Sequence, residues 1–526
     1  MAIRRFLVTL LVLGAAPAFA QTPDTPAPPA PPSEPAPPPA PPAPPAPPPP
    51  ADAPHPPPAN DAWGGAPAVA PEPAPVVVLP TDKLPVHSKW DATLYGFVEA
   101  DTILDTTQGL GDLVGSSAVA RPGSYAANHG QMIMGARNSR IGMKLKAPEY
   151  NHVKATGMLE MDFLGNQPGS VFTSYATNTG GAAGSATLVS EQQFWQNPTF
   201  RFRHLNVNLE TPYVDVLIGQ YWQLFGWQST FHPSSVEIQG LPGQVYSRSP
   251  QIRLTKKLKA GDIGVELAIA AARPPQRASA TPDGQAGIKL TYDGIKAQHT
   301  AGATGTALDG LSIGASVVGR RFAVANFAAT ETHQVTANGY GVSLDALIPI
   351  IPAKKDHHDN ALTLTGSFTT GAGIADLYQS LSGGVSNPAL PNPTMATPAP
   401  VWVPDVDSGL VMWYPDAAAV GGFSLHPVQW TTAIVGVQYY LPVKNYTWIA
   451  ANYSHTESNN DKYFGGLSMA GAKKVWNSED FADLSLFVDV TPAVRLGLEG
   501  AMFDMTYLDK TEAKDLRLQF SAFFLF

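Results

Sequence analysis

Arginines and carboxylates in this chain recur between large apolar residues, with a period of two. In "ARNSRIGMKLKAP", Arg140, Lys144 and Lys146 alternate with Ile141 and Met143. In "SPQIRLTKK", Arg253 stands between Ile252 and Leu254, and in "SVVGRRFAV" Arg320 shares the phase of Ser312 and Ser316. Glu99, Asp101, Glu160 and Asp162 supply negative charge in the same kind of pattern. A guanidinium is a planar fork that pairs bidentately with carboxylate and phosphate groups. A wall bearing these arginines is suited to attracting anions, with carboxylates opposite to hold the guanidiniums in place. The plainer reading of the same charges is a solvated wall with no solute preference.

The segment "FRFRHLNVNLE" complicates the pattern, because Arg201 and Arg203 share the parity of Leu205, Val207 and Leu209. A bulge near His204 would turn both arginines to the polar face, and this is the preferred reading; the alternative is that this end lies outside the membrane. Arg137 and Arg248 raise the same question. Catalytic motifs are a poorer fit. His357-His358 with Asp356 and Asp359 reads as a solvated polar turn rather than a metal site, and no glycine-rich phosphate loop is evident. The chain contains no cysteine, which excludes disulfides and thiolate metal sites. No enzyme activity and no cofactor are expected.

Alternation at this period belongs to strands. In the closing stretch "DLRLQFSAFFLF", Leu516, Leu518, Phe520, Ala522, Phe524 and Phe526 share one face, with Arg517, Gln519 and Ser521 on the other. Taken alone it suits either a buried edge strand of a soluble sheet or a tilted transmembrane strand. "VKATGMLEMDFLG", "GDIGVELAIA" and "LSLFVDVTPAVRLGLEG" repeat the pattern. About sixteen strands are predicted, near 94–104, 132–146, 152–163, 200–210, 214–221, 250–258, 262–272, 285–303, 311–321, 334–346, 360–370, 429–441, 446–455, 480–490, 494–507 and 516–526. An extra hairpin at Asp293-Gly294 is a further option. Connections alternate between short turns, such as 147–151 and 491–493, and long ones, such as 221–249 and 371–428. That sorting fits an antiparallel transmembrane β-barrel, and an all-β barrel is the expected fold class. In a bilayer every backbone N–H and C=O must pair within the protein, so the last strand must meet the first. A barrel of this size is expected to enclose an aqueous channel. Whether loop 221–249 or loop 371–428 narrows it stays open.

The first twenty residues, "MAIRRFLVTLLVLGAAPAFA", have the two arginines, short apolar core and A-x-A ending of a secretory signal peptide. Residues 21–88 form a Pro/Ala-rich linker expected to be disordered and extended, in polyproline II conformation. It reads either as a stalk toward the cell wall, with peptidoglycan as a possible partner, or as a linker with none. Residues 89–526 form the barrel domain. The formal net charge of −9 argues against nucleic-acid binding.

"LYGFVEAD", "ARNSRIGMKLKAP", "VKATGMLEMDFLG", "FRFRHLNVNLETPYVDVLIGQYW" and "RSPQIRLTKK", in that order, resemble the DcaP-like outer-membrane porins across the first half of the barrel. The resemblance implies a sixteen-stranded homotrimer in the bacterial outer membrane. It also implies uptake of small anionic solutes such as dicarboxylates, with lumen roles for Arg140, Arg201, Arg203, Arg248 and Arg253. The expected function is therefore passive diffusion of small hydrophilic solutes. A cell-wall tether or loop-displaying adhesin is the alternative, and an outer-membrane hydrolase ranks last.

Overall fold

The computed structural model describes residues 90–526, apart from 114–118, 166–191, 229, 327–332, 355–359, 380–408, 420–421, 444–445 and 462–474. The expected signal peptide, the expected Pro/Ala-rich linker and the expected His357-His358 turn lie outside the described residues. The strands are β1 (Asp91–Asp105), β2 (Gln131–Gly135), β3 (Arg140–Lys146), β4 (Lys154–Asp162), β5 (Arg201–Glu210), β6 (Asp215–Trp222), β7 (Arg248–Ala260), β8 (Ile263–Ala272), β9 (Asp283–His299) and β10 (Ala307–Ala325). They continue as β11 (Gln334–Ile351), β12 (Leu362–Ala372), β13 (Val411–Pro415), β14 (Phe423–Pro427), β15 (Gln429–Tyr440), β16 (Thr447–Ser458), β17 (Trp476–Thr491), β18 (Val494–Tyr507) and β19 (Glu512–Leu525). β13 and β14 pair only with each other, and the remaining seventeen form one sheet.

That sheet is a ring. β1 pairs antiparallel with β19 from Phe97↔Leu525 to Asp105↔Arg517. Beyond them Gly96 and Phe526 exchange backbone hydrogen bonds of 2.9 and 3.1 Å. β2 and β3 both lie against β1 and together fill one position, so the ring has sixteen strands. The continuous strand expected over 132–146 is thus broken at Ala136–Ser139. There Arg137, Asn138 and Ser139 turn inward and are buried. Their inward partners outbid the ladder: Arg137 Nη1 pairs with Asp112 at 2.8 Å, and Asn138 Nδ2 donates to Asp101 at 3.3 Å.

The extra hairpin at Asp293-Gly294 does not form. β9 runs through it, and a register shift between Gly310 and Leu311 takes the partners from Lys296 to Tyr292, leaving residues 293–295 as a bulge. A second bulge sits in β5. Glu160 pairs with His204 but Met161 pairs with Phe202, so Arg203 is the extra residue.

Outward residues are apolar along the ring; Ile218, Ile252, Ile269, Val317, Leu344, Leu484, Leu498 and Leu518 are all exposed. Exposed aromatics, including Trp90, Tyr150, Tyr213 and Tyr446, lie close to the short-turn ends. A closed sheet has no unpaired edge, and a greasy exterior with an aromatic rim suits hydrocarbon flanked by headgroups. The chain is a transmembrane β-barrel of the bacterial outer-membrane type.

A sixteen-stranded ring is wide enough for water, yet chain fills much of this one. The inner loop, residues 223–247, turns into the lumen and is buried almost throughout: Leu224, Phe225, Val236 and Leu241 are each fully enclosed. It rests on wall positions with no side chain. Trp227 packs on Gly287 and Gly314, Phe225 on Gly341, and Val236 on Gly497.

Candidate functional site

The β5 bulge decides the site. Leu205 and Val207 point to lipid and Phe202 is also exposed, while Arg203 and His204 are both buried inward. Arg201 follows Arg203 to the inside, and its Nε and Nη2 clamp the carboxylate of Asp162 at 2.9 and 2.6 Å. Arg203 donates from Nε to Glu160 at 2.8 Å and from Nη1 to Asp162 at 3.2 Å. Two further arginines join this group. Arg140 holds its Nε 3.7 Å from Glu160 and its guanidinium 5.1 Å from the Phe97 ring. Arg248 lies 4.8 Å from the ring of Trp222 and 5.4 Å from that of Tyr246.

The inner loop completes the cluster. Gln239 Oε1 accepts from Arg201 Nη2 at 2.9 Å and from Arg203 Nη1 at 3.1 Å, and its Nε2 donates to Asn138 at 3.2 Å. The Tyr246 hydroxyl accepts from Arg203 Nη2 at 3.2 Å and donates to the Ile238 carbonyl at 3.3 Å. Burial pushes the Tyr246 hydroxyl up, but Arg203, Arg248 and Arg140 outweigh it and bring it below its ordinary range. Four guanidiniums therefore share two carboxylates. Arg140 Nε and Arg248 Nη1 are buried and donate no hydrogen bond. A buried donor left unmet is costly, so this arrangement favours an added acceptor, and above all an anionic one.

A second group is acidic. Glu99 is fully buried, and neither of its carboxylate oxygens has a donor. Asp101 accepts from Ser521, Gln519 and Asn138. In the inner loop both Glu237 oxygens also lack donors, and Arg517 Nη1 is 3.9 Å away. Burial is the main reason the Glu237 carboxyl is pushed up to about 8; Arg517 opposes the rise, while Glu499 and Asp101 add to it. Glu499 accepts from the backbone N–H of Val236 and Glu237 at 2.6 and 3.2 Å, pinning the loop to β18.

The carboxylates do not stand opposite the arginines as expected. Glu160 and Asp162 sit on β4, the strand next to β5, and clamp the guanidiniums side by side. Glu99 and Asp101, on β1, belong to a neighbouring arc of the ring. The physical reason is cost: a buried guanidinium needs a partner within hydrogen-bond reach rather than across a gap.

Of the remaining charges, Lys144 lies 5.0 Å from the Tyr95 ring, whose hydroxyl donates to Glu160 at 3.0 Å. Arg253 donates to Gln251 at 3.1 Å and to the Trp222 carbonyl, just below the cluster. Arg320 stands apart. It is bound by Asp283, by Asp376 and by the Gly373 carbonyl, and ties the base of the loop after β12 to the wall. The charge pattern did not single out Gln239, Trp222, Tyr246 or Glu237. The one signal for them is the aromatic-rich run "YWQLFGWQSTFHPSSVEIQGLPGQVYS", which does not say whether a loop folds in or out.

No protein-family model matches the chain, and no curated protein does. Among solved structures it is similar to the outer membrane channel DcaP of Acinetobacter baumannii, at 18% identity and a TM-score of 0.55, over 84% of this chain and 98% of that one. An anion-selective porin from Comamonas acidovorans matches at 11% identity and a TM-score of 0.44, over 83% of this chain and 100% of that one. OmpT of Vibrio cholerae in its trimer form matches at 11% identity and a TM-score of 0.42, over 83% and 99%. The likeness to DcaP is one of fold: the chain is built on the barrel of that channel.

Proposed function

We propose that this chain is an outer-membrane porin for passive diffusion of small hydrophilic solutes, with a preference for small anions such as dicarboxylates. The observation that carries the reading is the surplus of guanidinium over carboxylate where the inner loop meets β3, β5 and β7. Four arginines stand there beside two carboxylates, which pair with three of them, and Arg140 and Arg248 keep buried N–H groups without acceptors. A positive constriction concentrates anions and repels cations. The description of DcaP as an outer membrane channel supports transport rather than catalysis as the role of this fold. The functional unit in this reading is a homotrimer.

Purified protein in a planar bilayer should give stepped conductance, closing in threes, with a reversal potential in a salt gradient that favours anions. Arg140→Gln and Arg248→Gln together should move that potential toward zero while leaving conductance in place. A cation-favouring reversal potential in the unaltered protein would refute the anion preference and spare the pore.

A further inference from the structure

The loop after β12 carries the hairpin of β13 and β14, paired from Val411↔Pro427 to Pro415↔Phe423. The hairpin turns its apolar side into the barrel: Val411 is fully buried, and Met412, Trp413, Phe423 and Leu425 are less than a tenth exposed, while Ser424 and His426, on the other side of β14, are half-buried and exposed. They share one apolar cluster with inward-pointing wall residues Phe322, Trp430, Phe481, Phe503, Met505 and Tyr507. Lumen walls facing water are polar. Six large hydrophobes aimed inward on β10, β15, β17 and β18 mark a sector of the ring built to be dry.

The filling is fastened at its base. Arg320 binds the Gly373 carbonyl and Asp376 at the start of the loop, directly after β12. Tyr246 N donates to the Leu377 carbonyl at 2.7 Å, and Gln379 N to the Gln244 carbonyl at 2.6 Å, so the loop is stitched to the inner loop. Gly373 N donates to the Val428 carbonyl at 2.8 Å, closing the loop at its neck.

We infer that the β13–β14 hairpin is a fixed wedge that blocks the β10–β18 sector of the outer mouth and confines solutes to the polar sector of β3 to β7, where Arg201, Arg203 and Arg248 lie. The hairpin thereby acts on selectivity without touching the solute. The selectivity clause rests on the proposed porin function; the wedge itself does not.

The absence of cysteine makes thiol labelling a clean test. Ala501→Cys, inward on β18 beneath the hairpin, is compared in the full chain and in a chain with Val411–Pro427 replaced by a short Gly/Ser linker. Lys257→Cys, whose side chain is 62% exposed on the inner face of β7, reports that the reagent reaches the lumen. A charged, water-soluble thiol reagent should modify Ala501→Cys at least about tenfold faster once the hairpin is gone, as expected when a protecting contact is removed. Single-channel conductance should rise and anion preference fall. Equal modification rates in the two chains, with Lys257→Cys labelled in both, would overturn the wedge. If the shortened chain does not fold, Met412→Ser with Leu425→Ser in the full chain gives the same comparison, with faster modification supporting the inference and an unchanged rate ending it. A channel that proves cation-selective would remove the anion clause and leave the labelling result standing.

Discussion

Arg203 and Arg248 belong to one cluster but should respond differently to substitution. Arg203 uses all three of its nitrogens, on Glu160, Asp162, Gln239 and Tyr246. Arg203→Gln leaves buried carboxylates short of a counter-charge, and a loss of about 3–5 kcal/mol is expected in denaturant unfolding of the reconstituted barrel. Arg248 meets mainly ring faces, so Arg248→Gln should cost no more than about 2 kcal/mol and show itself in ion preference instead. Glu237 carries a pH dependence. Its folded value of about 8 lies above the ordinary 4.5, so the neutral acid is the form the folded loop favours. Its stabilising contribution is complete below the ordinary value and is lost as pH rises through about 8. At higher pH the ionised group faces Glu99, Asp101 and Glu499, with Arg517 and the backbone N–H of Gln239 opposing them. Thermal unfolding followed from pH 6 to 9 should show stability falling with pH, and Glu237→Gln should flatten that profile.

At the scale of elements, the inner loop is held by shape as much as by charge. A Cβ placed on Gly314 would lie 2.7 Å from the Phe231 ring and 2.9 Å from that of Trp227. One on Gly287 would lie 3.0 Å from Trp227. Gly314→Leu therefore cannot coexist with the seated loop. It should drive Trp227 off the wall, raise single-channel conductance and shift tryptophan emission to longer wavelength. Unchanged emission would mean that the wall, not the loop, gives way. The same element helps satisfy the arginines inside the barrel: Gln239 and Tyr246 reach Arg201 and Arg203 from the loop, supplying acceptors beyond those of the strands.

For the whole molecule, everything depends on closure between β1 and β19. Gly96 lies at that seam: a Cβ there would come within 2.2 Å of the Arg140 carbonyl oxygen and 3.0 Å of the Phe526 ring. Gly96→Val should therefore obstruct both neighbours of β1 at once. The expected outcome is a sharp fall in the fraction of heat-modifiable, folded barrel on unheated gels, with little change in expression. A conservative change in the lipid-facing belt, such as Leu518→Val, should leave that fraction near normal.

Strand positions, the direction each side chain faces and the likeness to a membrane barrel were legible in the sequence, because a period of two is a local property. Leu516 to Phe526 needed no distant partner to declare which face is greasy. The β5 bulge was legible too, since Arg201 and Arg203 broke parity in a way that one extra residue repairs. Other features depended on partners far away in the chain. The break at Ala136–Ser139 comes from Asp112 and Asp101 drawing Arg137 and Asn138 inward. The carboxylates sit beside the arginines, not across from them, because of cross-strand register. The inner loop and the β13–β14 hairpin fold inward because glycines and inward hydrophobes on distant strands make room for them. Pattern along a strand sets which way a residue points; only the closed ring decides what it meets there, since those contacts join residues from tens to hundreds of positions apart.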